Sequence, residues 1–233
     1  MRTKMAILKM MKRLLIVIFI LLVSNTSFSQ TSKPAIAIVG NSTIAAYAGG
    51  EAIAVLMNTD SAYLITDISV PGHTIKQQES KWRKIPNEVK QSLNYVFVEI
   101  GLNDLSAKES AAIALARYQA LIDLIRSEIN ESCKIITSTM TPCKNRFLKK
   151  HPDNYLLSYK KWFDMNKAII GKGPEKIVNF DSYCKAHTKI LNDGKGNLKS
   201  MYDTGDGIHT TTAARQIIAD EWIARLNWYA KRK

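Results

Sequence analysis

The chain is poor in the residues that carry metal and redox chemistry. Its 233 residues include three cysteines and four histidines. No C-x-x-C pair occurs and no His/Cys cluster has zinc spacing, so neither a metal nor a cofactor is expected. Cys133, Cys143 and Cys184 make an odd count. An exported chain can pair two of them, although Cys133 heads a predicted buried strand and also fits as plain core.

Long apolar runs are missing too. The run at 14–23, LLIVIFILLV, has ten residues, about half of the roughly 20 needed to span a bilayer. Arg2, Lys4, Lys9, Lys12 and Arg13 precede it, and small and polar residues follow to Gln30. This layout predicts a secretory signal peptide over 1–30, cleaved near Ser29 or Gln30, with an uncleaved anchor as the alternative. The protein is therefore expected to be exported, periplasmic or secreted, without stable membrane insertion after cleavage. No cysteine stands near the cleavage point, so lipoprotein attachment is not expected.

There is no internal repeat, low-complexity tract or linker. Residues 31–233 are expected to form one domain, and 46% hydrophobic content suits a proper core. The leader holds five basic and no acidic residues, so the formal charge falls from +13 to +8 on its removal. Helix-turn-helix, zinc-finger and aromatic RNA-binding signatures are all lacking, and nucleic acid is not an expected partner. A basic surface equally suits acidic glycans or anionic envelopes.

What is present is alternation. Apolar or β-branched runs at 35–39, 62–70, 95–100, 134–139 and 176–180 read as strands. Helical patterns lie between and after them, at 43–57, 76–93 with a break near Pro86, 109–129, 182–191 and 211–229, and a basic, aromatic stretch at 144–161 leads into a helix that runs to about 170. Strand–helix alternation predicts a single three-layer α/β/α domain with a parallel sheet covered on both faces. Asn192-Asp193-Gly194 lacks the ligand pattern of a calcium loop and reads as a turn.

Polar groups cluster at the predicted strand ends. The first strand runs into Gly40-Asn41-Ser42, just ahead of the predicted helix start. The second ends at Pro71-Gly72 and the third at Gly101-Leu102-Asn103-Asp104. Parallel neighbours deliver such ends to one edge of the sheet, where open α/β folds carry their ligands. Asp206-Gly207-Ile208-His209 precedes the last helix. Together these supply a nucleophile, a base, a group to orient the base, and oxyanion donors. Read singly, each also fits a turn or a helix cap. Asp203 is a second possible acid, disfavoured by its spacing to His209. His73, His151 and His187 lack a comparable setting and read as surface residues.

In order and spacing these blocks resemble the SGNH or GDSL hydrolases. The matching residues are Gly40-Asn41-Ser42, Gly72, Gly101-x-Asn103-Asp104 and Asp206-x-x-His209. The resemblance implies a flavodoxin-like five-stranded parallel sheet in the order 2-1-3-4-5, the SGNH hydrolase fold, and esterase or acyl-hydrolase activity. It implies Ser42 as nucleophile, His209 as general base and Asp206 as its orienting acid. The Ser42 N–H, the Gly72 N–H and the Asn103 amide are the implied oxyanion hole. One departure stands out: Asn41 replaces the family's usual Asp. Ile44 excludes the G-x-S-x-G elbow of α/β-hydrolases.

The expected substrate is a small-molecule or glycan ester, with O-acetylated carbohydrate first because export favours envelope glycans. A basic, aromatic stretch, with Lys144, Arg146, Phe147, Lys149, Lys150, Tyr155, Tyr159, Lys160, Lys161 and Trp162, could grip a sugar. It reads equally as a solvated helix face with a few core aromatics. A lipid-directed esterase and a glycan-binding module without turnover are the alternatives.

Overall fold

The computed structural model describes residues 33–106, 110–150, 152–173 and 175–232. The expected leader, 1–30, and His151 lie outside the described residues. Strand β1 (Ala35–Gly40) reads AIAIVG, β3 (Tyr95–Glu99) reads YVFVE, and every residue of β3 is buried. A strand buried on both faces needs a helical layer on each side, which βαβ crossovers supply. With β2 (Leu64–Asp67), β4 (Lys134–Ser138) and β5 (Ser182–Cys184), they form one parallel sheet in the order β2-β1-β3-β4-β5. This is the expected flavodoxin-like topology.

The helices are α1 (Ile53–Met57), α2 (Ile75–Trp82), α3 (Asn87–Ser92), α4 (Leu102–Ser106), α5 (Ala111–Glu128), α6 (Lys144–Lys150), α7 (Tyr155–Ile169), α8 (Ala186–Lys189) and α9 (Thr212–Ala230). The period-two alternation of the strands divides the core between two layers. Ala37, Val39, Val96, Val98 and Ile135 pack with Trp82, Tyr118, Leu121 and Trp162 from α2, α5 and α7. Ile36, Ile38, Phe97 and Ile136 pack with Leu56, Ile218 and Trp222 from α1 and α9. Phe97 stacks on Trp222 with ring centroids 4.3 Å apart and planes 4° from parallel. Burying such a ring contributes roughly 1.5–3 kcal/mol.

Two expected elements differ. The helix predicted over 43–57 is only α1, starting at Ile53. Ala48 and Gly49 take positive φ, and a bridge between Tyr47 and Gly50 reverses the chain. Ser42 therefore sits in one isolated helical turn, closed by Ala45 N–H on the Asn41 carbonyl at 2.9 Å, and not at the start of a long helix. The fifth strand is at 182–184 and not at 176–180. Asn179 has φ +65°, which breaks the extended run. Pairing with β4 begins instead at Asp181, whose carboxylate accepts from Ile135 N–H at 2.8 Å. The apolar residue that suggested the earlier strand, Ile177, packs into the core, and its N–H donates to the Ala168 carbonyl of α7.

The sheet brings the ends of β1, β3 and β4 to one edge. Thr74 caps α2 in a reciprocal box with Gln77 immediately after Gly72-His73. Thr211 caps α9, its hydroxyl accepting from Ala214 N–H, two residues after His209. The caps thus fix where the loops carrying Gly72 and His209 enter their helices.

Candidate active site

Ser42 follows a tight exit from β1. A Cβ on Gly40 would lie 2.0 Å from the Ile44 Cδ1 and 2.9 Å from the Glu99 carbonyl oxygen, so only glycine fits. The Asn41 side-chain oxygen accepts from Thr43 N–H at 2.9 Å, an Asx turn that folds the chain back after the strand. Gln78 of α2 donates to the Gly40 carbonyl at 2.6 Å and locks the strand end.

His209 Nε2 lies 3.0 Å from Ser42 Oγ, across 167 residues of sequence. His209 Nδ1 lies 2.5 Å from Asp206 Oδ2. The other Asp206 oxygen accepts from the Ile208 and His209 backbone N–H groups at 3.0 and 2.9 Å. Burial pushes the Asp206 carboxyl up. The hydrogen bonds from His209 and Ile208 outweigh it and hold the group below its ordinary value. An ionised Asp206 accepts a hydrogen bond from the Nδ1–H, which leaves Nε2 as an acceptor facing the serine hydroxyl. Asp203 is not a competitor: its Oδ1 accepts from Gly205 and Gly207 N–H within the loop.

The remaining expected residues divide. Asn103 lines a cavity of about 80 Å³ with Ser42 and His209, and its amide donates to the His73 carbonyl at 2.9 Å. It thereby ties α4 to the turn that holds Gly72. Gly72 itself is exposed with φ +82° and lies outside the lining of that cavity. Asp104 accepts from Ile75 N–H at 3.0 Å and so serves the first turn of α2. A larger cavity, about 300 Å³, lies beside Leu115, Lys160 and Lys167 and contains none of these groups.

Three buried residues around Ser42 were not anticipated. Arg215 of α9 is 0% exposed. Its guanidinium donates to the carbonyls of Ser42 at 3.0 Å, Tyr47 at 3.1 Å, Gly50 at 3.1 Å, Glu51 at 3.0 Å and Thr210 at 3.2 Å, and also to that of Ala45. A Cβ on Gly50 would lie 2.5 Å from the Arg215 Nε. Glu99, at the end of β3, is also fully buried. Burial pushes its carboxyl up to about 7, against the pull of the Thr43 hydroxyl and Arg215. Thr43 Oγ1 is 2.7 Å from Asn41 Oδ1 and in close contact with Glu99 Oε2. The Thr43 hydroxyl thus has one proton to share between two acceptor oxygens, Asn41 Oδ1 and Glu99 Oε2. In sequence these residues signal themselves only as a carboxylate closing an apolar strand and a guanidinium inside an apolar helix.

The other expectations resolve as follows. His187 is buried, not on the surface. It stands 3.5 Å from Ser138 Oγ, and desolvation holds its ring neutral with a pKa of about 3. His73 is half-buried beside Gln78. All three cysteines are buried free thiols, so no pair is bridged. Of the basic, aromatic stretch, Arg146, Phe147 and Lys150 line the cavity. Lys160 pairs with Asp164, Lys144 lies over the Tyr159 ring, and Trp162 is core.

The sequence profile of the GDSL-like lipase/acylhydrolase family matches residues 38–217. No curated protein matches the chain. Among solved structures, a GDSL-like lipase from Bacteroides thetaiotaomicron superposes with a TM-score of 0.60 at 14% identity, covering 88% of this chain and 94% of that one. The lipase/acylhydrolase from Enterococcus faecalis gives 0.58 at 17% identity, covering 83% and 95%. A mutant of an acetyl-xylooligosaccharide esterase from Geobacillus Stearmophilus gives 0.54 at 11% identity, covering 83% and 94%. At these identities the superpositions establish the shared fold. The profile, which spans the strand-end blocks and the Asp206–His209 loop, establishes more: the chain belongs to the GDSL-like lipase/acylhydrolase family and is a hydrolase of ester bonds.

Proposed function

We propose that the chain is an exported serine esterase that removes short acyl groups, acetyl first, from carbohydrate. The observation that carries this reading is the line Ser42 Oγ, His209 Nε2, His209 Nδ1, Asp206 Oδ2, with gaps of 3.0 and 2.5 Å. His209 takes the serine proton as Ser42 attacks the ester carbonyl. Asp206 stabilises the imidazolium that forms, and His209 returns the proton to the departing alcohol. Water then repeats the sequence on the acyl-enzyme. The Ser42 N–H and the Asn103 amide are the oxyanion donors at the cavity. Gly72 N–H is the third donor of the reading.

A cavity of about 80 Å³ supports a short acyl group, because sites for larger ligands usually enclose roughly 300–1,000 Å³. The acetyl-xylooligosaccharide esterase among the structural relatives supports the same choice. Export rests on the basic front and apolar run of residues 1–30. The test is hydrolysis of 4-nitrophenyl esters of increasing acyl length by the protein and by Ser42→Ala. Rapid turnover of acetate that falls with chain length and vanishes in the variant supports the reading. A preference for long acyl chains would replace it with a lipid-directed esterase.

A further inference from the structure

We infer that the cavity accepts acetyl esters of sugars that carry a carboxylate, with Arg146 and Lys150 as the anchors of that carboxylate. The inference rests on the esterase reading of Ser42 and His209.

The charge of the lining points this way. Arg146 and Lys150 line the cavity with Ser42, Asn103 and His209, and no acidic residue lines it with them. Asp206, behind His209, has both oxygens committed to His209 and Ile208. Some other cations of the fold are paired: Lys90 with Glu128, Arg126 and Lys134 with Asp181, and Lys160 with Asp164. Among the described residues, no acidic partner of Arg146 or Lys150 lies within ion-pair distance. Two positive charges thus line a cavity that has no carboxylate in its lining.

Their backbone is fixed. Four residues apart on α6, they present to the same face of the helix. Phe147 between them is 3% exposed and anchors the helix in the core. Lys144 N–H donates to the Gly196 carbonyl at 3.1 Å, and Asn145 N–H to the Asn197 side chain at 2.8 Å. A Cβ added to Gly207 would meet the Arg146 backbone nitrogen at 3.5 Å, so α6 rests on the loop that carries Asp206 and His209. A guanidinium matches a carboxylate through two parallel hydrogen bonds, and a lysine adds a point charge. The small cavity receives the acetyl group at Ser42, and the sugar remains at the mouth, within the field of both cations.

The test compares acetate release from a methyl O-acetyl-glucuronoside with release from the matching methyl O-acetyl-glucoside. The parent protein and Arg146→Gln/Lys150→Gln are assayed side by side. The ratio of kcat/KM, acidic over neutral, is expected to favour the glucuronoside in the parent. It should fall about tenfold in the double variant, through KM, as the loss of two part-exposed charge contacts allows. Raising salt from about 0.05 to about 0.5 M should shrink the parent's ratio. An equal ratio in both proteins overturns the inference. Binding of the two sugars to Ser42→Ala, with and without the double substitution, decides the matter independently of turnover. Absent hydrolysis with a glucuronoside preference that needs Arg146 and Lys150 removes the esterase reading and keeps the anion site. Equal binding removes the anion site.

Discussion

Arg215 donates to the carbonyl oxygen of Ser42 at 3.0 Å from the first turn of α9, six residues after His209. The same side chain bonds the Thr210 carbonyl at 3.2 Å. One buried guanidinium therefore holds the backbone of the loop that carries Ser42 and the backbone next to His209. It does for the loop at 42–51 what a long helix after β1 would otherwise do, and it offers a reason for that helix being absent.

Arg215→Lys should accordingly be costly. A lysine has three donors where six carbonyls now converge. Each buried acceptor left unpaired costs about 1–3 kcal/mol. A loss of at least about 3 kcal/mol is expected by urea unfolding, together with a fall in kcat larger than any change in KM. A loss below about 1 kcal/mol would show that the clasp is incidental.

Glu99 sets a pH dependence of stability. Its carboxyl titrates near 4.5 in the unfolded chain and about 7 when folded. Between those values the native state holds the proton and the unfolded state does not. The stabilisation is therefore complete below about 4.5 and is lost as pH rises through 7. Glu99→Gln keeps the shape and removes the titration. From pH 4.5 to pH 8, the unfolding free energy of the parent should fall relative to the variant by about 3 kcal/mol. Parallel stability profiles would mean that Glu99 is ionised in the fold.

Asp206→Asn keeps a side chain of the same size beside His209 but cannot stabilise the imidazolium, and it favours the wrong tautomer. An asparagine in the orienting position of a serine triad costs on the order of 10⁴ in kcat. A loss of that order is expected, with the native far-ultraviolet circular dichroism retained. A variant with kcat within about tenfold of the parent would move the orienting role to another group.

Much of the fold was legible because β1, β3 and β4 are apolar on both faces, a pattern that survives without knowledge of their neighbours. The order of the sheet followed from the resemblance. The fifth strand was misplaced because Ile177 is core without being strand, and the positive φ of Asn179 leaves no mark in composition. The first helix was overextended because Ala48, a good helix former, is held at φ 52°. At the site, Ser42, Asp206 and His209 were singled out by the resemblance, since each short pattern alone also fits a turn or a cap, and the fold brings the three side chains together. Glu99, Thr43 and Arg215 were not, since a buried charge becomes intelligible only beside its partners. Arg215 lies 173 positions from the serine whose carbonyl it holds. His187 failed for the same reason: nothing adjacent in the chain indicates that it is buried.

The central claim is that Ser42 is the nucleophile, and labelling tests it most directly. The protein is treated with a fluorophosphonate, which esterifies an activated serine hydroxyl, and the modified peptide is located by mass spectrometry. The account predicts a single adduct on Ser42, formed at a rate that collapses in His209→Ala. An adduct on another residue, or labelling of Ser42 that is indifferent to His209, would contradict it.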